Sequence, residues 1–211
     1  MKRSTFILFM EFLLLFVLFP WILTLRFSIL LKVILGVLGF LYMLFILIKR
    51  NNHTFFKWKQ LPEFKIHFRR ILFLFIGLLV FSTAYIYHSF PEKLFSMPLQ
   101  KTGIWIVILL IYSFLSVIPQ EIIYRSFFFI RYQKLFKNET VLIFINAVVF
   151  SLGHLFFQNL LVLGITFVGG LFFGYSYHTT RSLVFVSIEH SLYGCWLFTV
   201  GMGDLLGFPV P

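Results

Sequence analysis

Long apolar blocks alternate with short polar or basic ones along the whole chain. Seven blocks stand out, at 6–25, 27–48, 71–88, 103–132, 141–157, 160–177 and 183–200. Each is close to or above the ~20 residues needed to cross the hydrocarbon core of a bilayer as an α-helix. The pattern predicts an all-α, polytopic transmembrane helical bundle of about seven helices. Pro20 and Pro119 lie inside blocks and predict a kink or bend there, because proline lacks the N–H that a helix interior uses. Arg26 marks a tight turn, and Lys32 stands near a helix start, from where its long stem can carry the charge to the interface. The organisation expected is 1–102 for the early helices and their basic loop, 103–200 for the later helices, and 201–211 for a short tail.

Charge gives the helices a direction. Placing the N-terminus in the cytoplasm puts 13 Lys or Arg on that side, at 2, 3, 49, 50, 57, 59, 65, 69, 70, 131, 134, 137 and 181. Only Arg26, Lys93 and Lys101 fall outside, as the positive-inside bias requires. The segment 49–70 mixes these cations with Phe55, Phe56, Trp58 and Phe64, which suits either a strip on the lipid headgroups or a solvated loop. The first residues, Met1-Lys2-Arg3 and an apolar run, resemble a signal peptide. No small-residue cleavage site follows and a second run comes at once, so a retained anchor is expected.

Composition narrows the class further. The 211 residues are 60% hydrophobic and 12% charged, with 32 Phe, which excludes an ordinary soluble domain. The net charge of +11 does not point to nucleic acid, since the basic residues form no stripe with stacking aromatics between them. Cys195 is alone and can form no internal disulfide. Gly170-Leu-Phe-Phe-Gly174 predicts a close helix–helix contact.

Polar residues inside apolar blocks are costly and mark candidate sites. Glu121 and Arg125 share a helix face at a spacing of four and can pair. His154, Glu189 and His190 occupy later spans. Counting the helical rise from the cytoplasmic ends puts Glu121 roughly 18 Å deep, His154 roughly 20 Å and His190 roughly 11 Å. Three helices then carry a carboxylate and two imidazoles to overlapping layers. Such a set could activate a water and stabilise an oxyanion, or hold a divalent metal such as zinc. No cofactor is assigned. A His-Glu-x-x-His pair is missing, Glu189 and His190 point about 100° apart on a helix, and no Gly-x-Ser-x-Gly elbow is present. An ion pair and histidines that merely fix the packing would leave the same residues.

These residues resemble the CPBP intramembrane proteases, which include the type II CAAX prenyl proteases and bacteriocin-processing or Abi proteins. That family carries Glu-Glu-x-x-x-Arg, Phe-x-x-x-His and His-x-x-x-Asn on successive late helices. The corresponding stretches here are Gln120-Glu121-Ile-Ile-Tyr-Arg125, Phe150-Ser-Leu-Gly-His154 and His190-Ser-Leu-Tyr-Gly194, within about 103–200. The resemblance implies a glutamic-type endopeptidase that hydrolyses a peptide bond in or near the bilayer, in a bacterial cytoplasmic membrane. By the resemblance His154 and His190 match catalytic residues directly, and Glu121 with Arg125 matches a pair that positions the site; the catalytic set expected here is Glu121, His154 and His190, with support from Gln120, Arg125, Phe150 and Glu189. Membrane lipid and a peptide or protein substrate are the expected partners. Two positions depart from the pattern. Gln120 stands where the family's water-activating glutamate would be, and Gly194 replaces the asparagine that helps stabilise the oxyanion. Glu121 could take over as base, Glu189 could supply the carboxylate, or the chain could be an impaired relative acting as a membrane adaptor. A proton-relaying transporter is a weaker reading, because no paired repeats are visible.

Overall fold

A computed structural model of the chain describes residues 3–49 and 64–204. Of the basic segment 49–70, residues 50–63 lie outside these residues and 64–70 open a helix; the end of the tail, over 205–211, also lies outside them. The described residues are helical with no strand among them, and seven helices are long and apolar enough to cross a membrane. We name them α1 (Thr5–Ile22), α2 (Ile29–Lys49), α3 (Phe64–Ser89), α4 (Thr102–Tyr132), α5 (Glu139–Leu152), α6 (Leu160–Thr180) and α7 (Leu183–Val200). A bundle of membrane helices is what the apolar blocks require, since only helices or closed barrels satisfy every backbone group within lipid. The protein is an integral membrane protein.

Local chemistry sets the helix ends. Asn138 caps α5, its Oδ1 accepting from the Val141 N–H at 3.1 Å. Asn159 caps α6 by accepting from Leu161 and Val162 at 2.9 and 3.2 Å. Both supply the acceptor that the first turn of a helix lacks. Arg181, at φ 51°, ends α6 in the left-handed region.

Each proline within a block follows a widened helical turn. A π-helical turn at Leu14–Leu18 precedes Pro20, and another at Tyr112–Val117 precedes Pro119. The proline ring crowds the carbonyl one turn back and offers it no N–H, so the helix relaxes by one extra residue per turn. A third π turn, Ile122–Phe127, contains no proline. Such turns gather at functional sites, and this one holds Arg125.

The chain forms two compact units, which the sequence enters alternately. One takes the described residues within 1–57 and 120–183, the other those within 58–119 and 184–211. In the first unit, α1 lays Phe12 and Phe16 against Phe128, Tyr132 and Tyr124 of α4. Beside them Arg131 grips Glu11 of α1 with two donors, at 2.8 and 2.6 Å, and the Tyr132 hydroxyl adds a third at 3.0 Å. The fork matches both carboxylate oxygens, the strong form of this bond. Helix α2 buries only Met43 and Leu47, so most of its surface faces lipid.

Helices α5 and α6 pack most closely, and the Gly170/Gly174 pair is the reason. A Cβ at Gly170 would sit 2.9 Å from the Ala147 Cα, and one at Gly174 would sit 3.1 Å from the Asn146 Oδ1. The missing side chains let the two backbones meet. In the second unit, α4 and α7 share a core of Met97, Ile108 and Phe198, with Trp105, Leu109 and Tyr112 packed on it. The Trp105 indole donates to the Thr199 hydroxyl at 3.1 Å, and Trp196 donates to Ser82 of α3 at 2.9 Å. Beyond α7, Lys93 pairs with Asp204.

Gly170→Val is expected to lower stability by about 1–3 kcal/mol, because the clash is with backbone that cannot swing away. Gly164→Val on the same helix meets nothing within 4 Å and serves as the control. Thermal unfolding in detergent micelles compares them, and equal midpoints would contradict the packing described.

Candidate active site

The site residues of the first unit build up from the Glu121–Arg125 pair. Arg125 Nε lies 3.2 Å from Glu121 Oε2, and neither side chain is exposed at all. Two opposite charges in such a place survive only if their remaining donors and acceptors are occupied. One guanidinium nitrogen donates to Asn146 Oδ1 at 2.6 Å, and the amide nitrogen of Asn146 donates to the Tyr124 carbonyl at 2.6 Å. Asn146 thus ties α5 to the proline-free π turn of α4 by both ends of its amide. The flat guanidinium lies over Phe150, 4.7 Å from the ring centroid, and near Phe173 at 5.7 Å. Aromatic faces replace part of the lost hydration of an arginine. Gln120, half-buried, precedes Glu121 and is the first residue of α4 that belongs to the first unit.

Phe150 carries this arrangement on to His154. Helix α5 stops at Leu152, and His154 stands in the following turn at φ −102°, ψ 8°. The sequence expectation of a histidine within the helix is corrected here. The physical reason is the early stop of the α-helix, followed by a 3-10 turn at Leu155–Phe157. The His154 Nδ1 lies 2.8 Å from the Phe150 carbonyl oxygen. A carbonyl only accepts, so Nδ1 carries the hydrogen and the neutral ring keeps its lone pair on Nε2. The ring packs on Phe150 at 4.9 Å and on Phe157 at 6.1 Å. It is half-buried. Beside it, the Tyr124 hydroxyl lies 2.0 Å from where a Gly153 Cβ would be. The first unit therefore joins Glu121, Arg125, Phe150 and His154 through one chain of contacts.

Glu189 and His190 belong to the second unit. Glu189 is fully buried, and its Oε1 lies 3.2 Å from Arg70 of α3 and 3.2 Å from the Tyr193 hydroxyl. The same hydroxyl reaches the Ile71 carbonyl at 3.2 Å. These contacts fasten α7 to α3. His190 is 6% exposed and meets the edge of Tyr112, ring centroids 6.0 Å apart. Among the described residues, no three His, Cys, Asp or Glu side chains gather closely enough to hold a metal ion.

Sequence reasoning overlooked Asn146, Tyr112, Tyr124 and Arg70. Asn146 had a signal, as a lone amide within the apolar run 141–150. The two tyrosines had none, because each depends on a glycine distant in sequence.

The apolar helices define a polytopic membrane protein whose first unit buries a carboxylate–guanidinium pair and carries His154, and whose second unit buries His190. Residues 102–196, which contain all these site residues of α4, α5 and α7, match the family model described as Type II CAAX prenyl endopeptidase Rce1-like. Over this stretch, just under half of the chain, it is similar to the CAAX prenyl endopeptidases of the CPBP family. No curated protein and no solved structure matches the chain.

Asn146→Leu is expected to cost about 1–3 kcal/mol, the penalty for leaving a buried donor unsatisfied. Arg125→Leu strands the Glu121 carboxylate and should cost more, about 3–5 kcal/mol. Denaturation monitored by tryptophan fluorescence orders the two, and wild-type stability in both would overturn the account of this pair.

Proposed function

We propose that the chain is an intramembrane endopeptidase of the CAAX-protease type, which hydrolyses a peptide bond in or near the bilayer with activated water. The observation that carries this reading is the 2.8 Å contact between His154 Nδ1 and the Phe150 carbonyl oxygen, from which the tautomer follows. With Nδ1–H donated to the Phe150 carbonyl, Nε2 is the nitrogen able to take a proton from water. As the ring charges, the Phe150 carbonyl stabilises the imidazolium, and the fixed ring costs no reorganisation at the moment of reaction. Glu121 supplies the carboxylate of the pair, held in place by Arg125. Gln120 takes up no proton at ordinary pH, and its part is to hydrogen-bond.

Water attacks the peptide carbonyl while its proton passes to the Glu121–His154 pair. The carbonyl oxygen becomes an oxyanion, and the correspondence with the family's third motif gives His190 the part of stabilising it. Collapse of the tetrahedral intermediate returns the proton to the leaving amine. Glu189, committed to Arg70 and Tyr193, is assigned to structure and not to proton transfer. The basic residues set the orientation in this reading, with the N-terminus on the cytoplasmic side of a bacterial membrane.

A second reading, a membrane adaptor whose polar groups act as internal glue, is favoured by Gln120 standing where the family has a carboxylate. The two separate in one assay. Quenched fluorescent peptides ending in a farnesylated CAAX sequence, and their unprenylated counterparts, are offered to the full chain in proteoliposomes. His154→Ala and Glu121→Gln are each expected to cut the rate by about 10²-fold or more, as loss of a general base does. Glu189→Gln should lower thermal stability and keep the rate within a few-fold. Undiminished cleavage by the His154 and Glu121 variants would defeat the peptidase reading. Absence of cleavage by folded wild type would favour the adaptor.

A further inference from the structure

Gly153 has no conformational reason to be glycine. It closes α5 at φ −59° and ψ −18°, a region open to any residue. What it provides is room. A Cβ there would lie 2.0 Å from the Tyr124 hydroxyl oxygen and 2.8 Å from its Cζ. The same Cβ would lie 3.2 Å from the Phe150 carbonyl oxygen, the acceptor of the His154 Nδ1–H. The hydroxyl, that carbonyl and the turn bearing His154 therefore surround one point. Edge contacts hold the Tyr124 ring there, with Phe16 at a centroid separation of 5.7 Å and with Phe150 at 5.2 Å. Phe150 also carries the His154 ring, at 4.9 Å. Every residue in this arrangement belongs to the first unit.

Ring packing gives no reason for the hydroxyl. The chain uses 32 Phe and only 9 Tyr, and a phenylalanine would make the same contacts with Phe16 and Phe150. Taking a hydroxyl out of water costs free energy unless it gains a partner. Among the described residues this one makes no hydrogen bond; the bonds of Tyr124 are those of its carbonyl oxygen. Arg125 to Phe129, which follow it on α4, are buried, whereas Tyr124, Gly153 and His154 are each half-buried. These three touch in sequence or in space, so the surface left to them lies at one place. Tyr124 also stands in the proline-free π turn Ile122–Phe127, the kind of irregularity that gathers at functional sites. A glycine without a backbone need and a tyrosine without a packing need together set one hydroxyl beside His154.

We propose that Tyr124 is a catalytic hydrogen-bond donor, its hydroxyl admitted by Gly153 and directed at the carbonyl oxygen of the scissile peptide. His154 takes the proton of the attacking water, and the phenol O–H keeps its own. The bond strengthens as negative charge develops on the carbonyl oxygen, so it favours the transition state over the bound substrate. Base and donor then stand in one unit, on α5 and α4. This rests on the peptidase reading above.

Tyr124→Phe keeps the ring and removes the donor. With the farnesylated fluorogenic peptide in proteoliposomes, kcat should fall about 10²-fold, as on loss of one oxyanion donor, while KM stays within about twofold, since the ground state is not held by this bond. Binding of a phosphinic analogue of the same peptide, read by thermal stabilisation of the full chain in detergent, should weaken about tenfold or more. The unfolding midpoint without ligand should stay at or above wild type, because the variant no longer places an unbonded hydroxyl among apolar rings. If Tyr124→Phe does not fold, Gly153→Ala tests the same bond, since its methyl displaces the hydroxyl oxygen; kcat should again fall about 10²-fold. Unchanged kcat or unchanged analogue binding in the folded variant overturns the assignment of Tyr124 and leaves the peptidase reading standing. Wild type that neither cleaves the peptide nor binds the analogue overturns both.

Discussion

An arginine and a glutamate with no exposed surface are the constraint around which the first unit is built. A membrane interior offers no water to such a pair, so the surrounding chain has to supply every compensating contact. Asn146 supplies an amide oxygen, Phe150 and Phe173 supply ring faces, and the pair itself closes across one helical turn. The contacts fix two neighbouring helices: Asn146 and Phe150 belong to α5, and Phe173 belongs to α6. The energetic need to satisfy one guanidinium thus becomes a geometric specification for three helices.

Phe150 transmits that specification to the chemistry. Its ring stacks under Arg125 and its carbonyl accepts the Nδ1–H of His154. One residue therefore connects the buried charge to the tautomer of the imidazole. The early stop of α5 matters equally, because a histidine inside a regular helix would compete with the backbone for that carbonyl. Glycine completes the design by its absence of volume. At Gly170 and Gly174 it lets backbones approach, and at Gly153 and Gly194 it admits a tyrosine hydroxyl beside a histidine. Prolines and π turns add the remaining freedom, since a widened turn re-aims the side chains that follow it.

The sequence revealed the membrane helices and the pairing of Glu121 with Arg125, because both follow from short-range rules. Apolar blocks of sufficient length must span, and a spacing of four must share a face. The close approach at Gly170 and Gly174 was legible for the same reason. What stayed hidden depends on contacts between residues far apart in the chain. Nothing near Gly194 announces that Tyr112, 82 positions earlier, fills its space. Nothing near Glu189 shows that Arg70 holds it, which turns a spare acid into a fastener of α3 to α7. The position of His154 was misjudged because a helix stop after Leu152 has no proline or charged residue to mark it.

The central claim is that the buried pair, acting through Phe150, presents His154 with its lone pair on Nε2. Magic-angle-spinning NMR of the full chain in lipid bilayers, with ¹⁵N-labelled histidine and His154 assigned by substitution, reads this directly. At a pH where the ring is neutral, the account predicts a protonated Nδ1 and an unprotonated Nε2. A His154 ring carrying its hydrogen on Nε2 instead would contradict it.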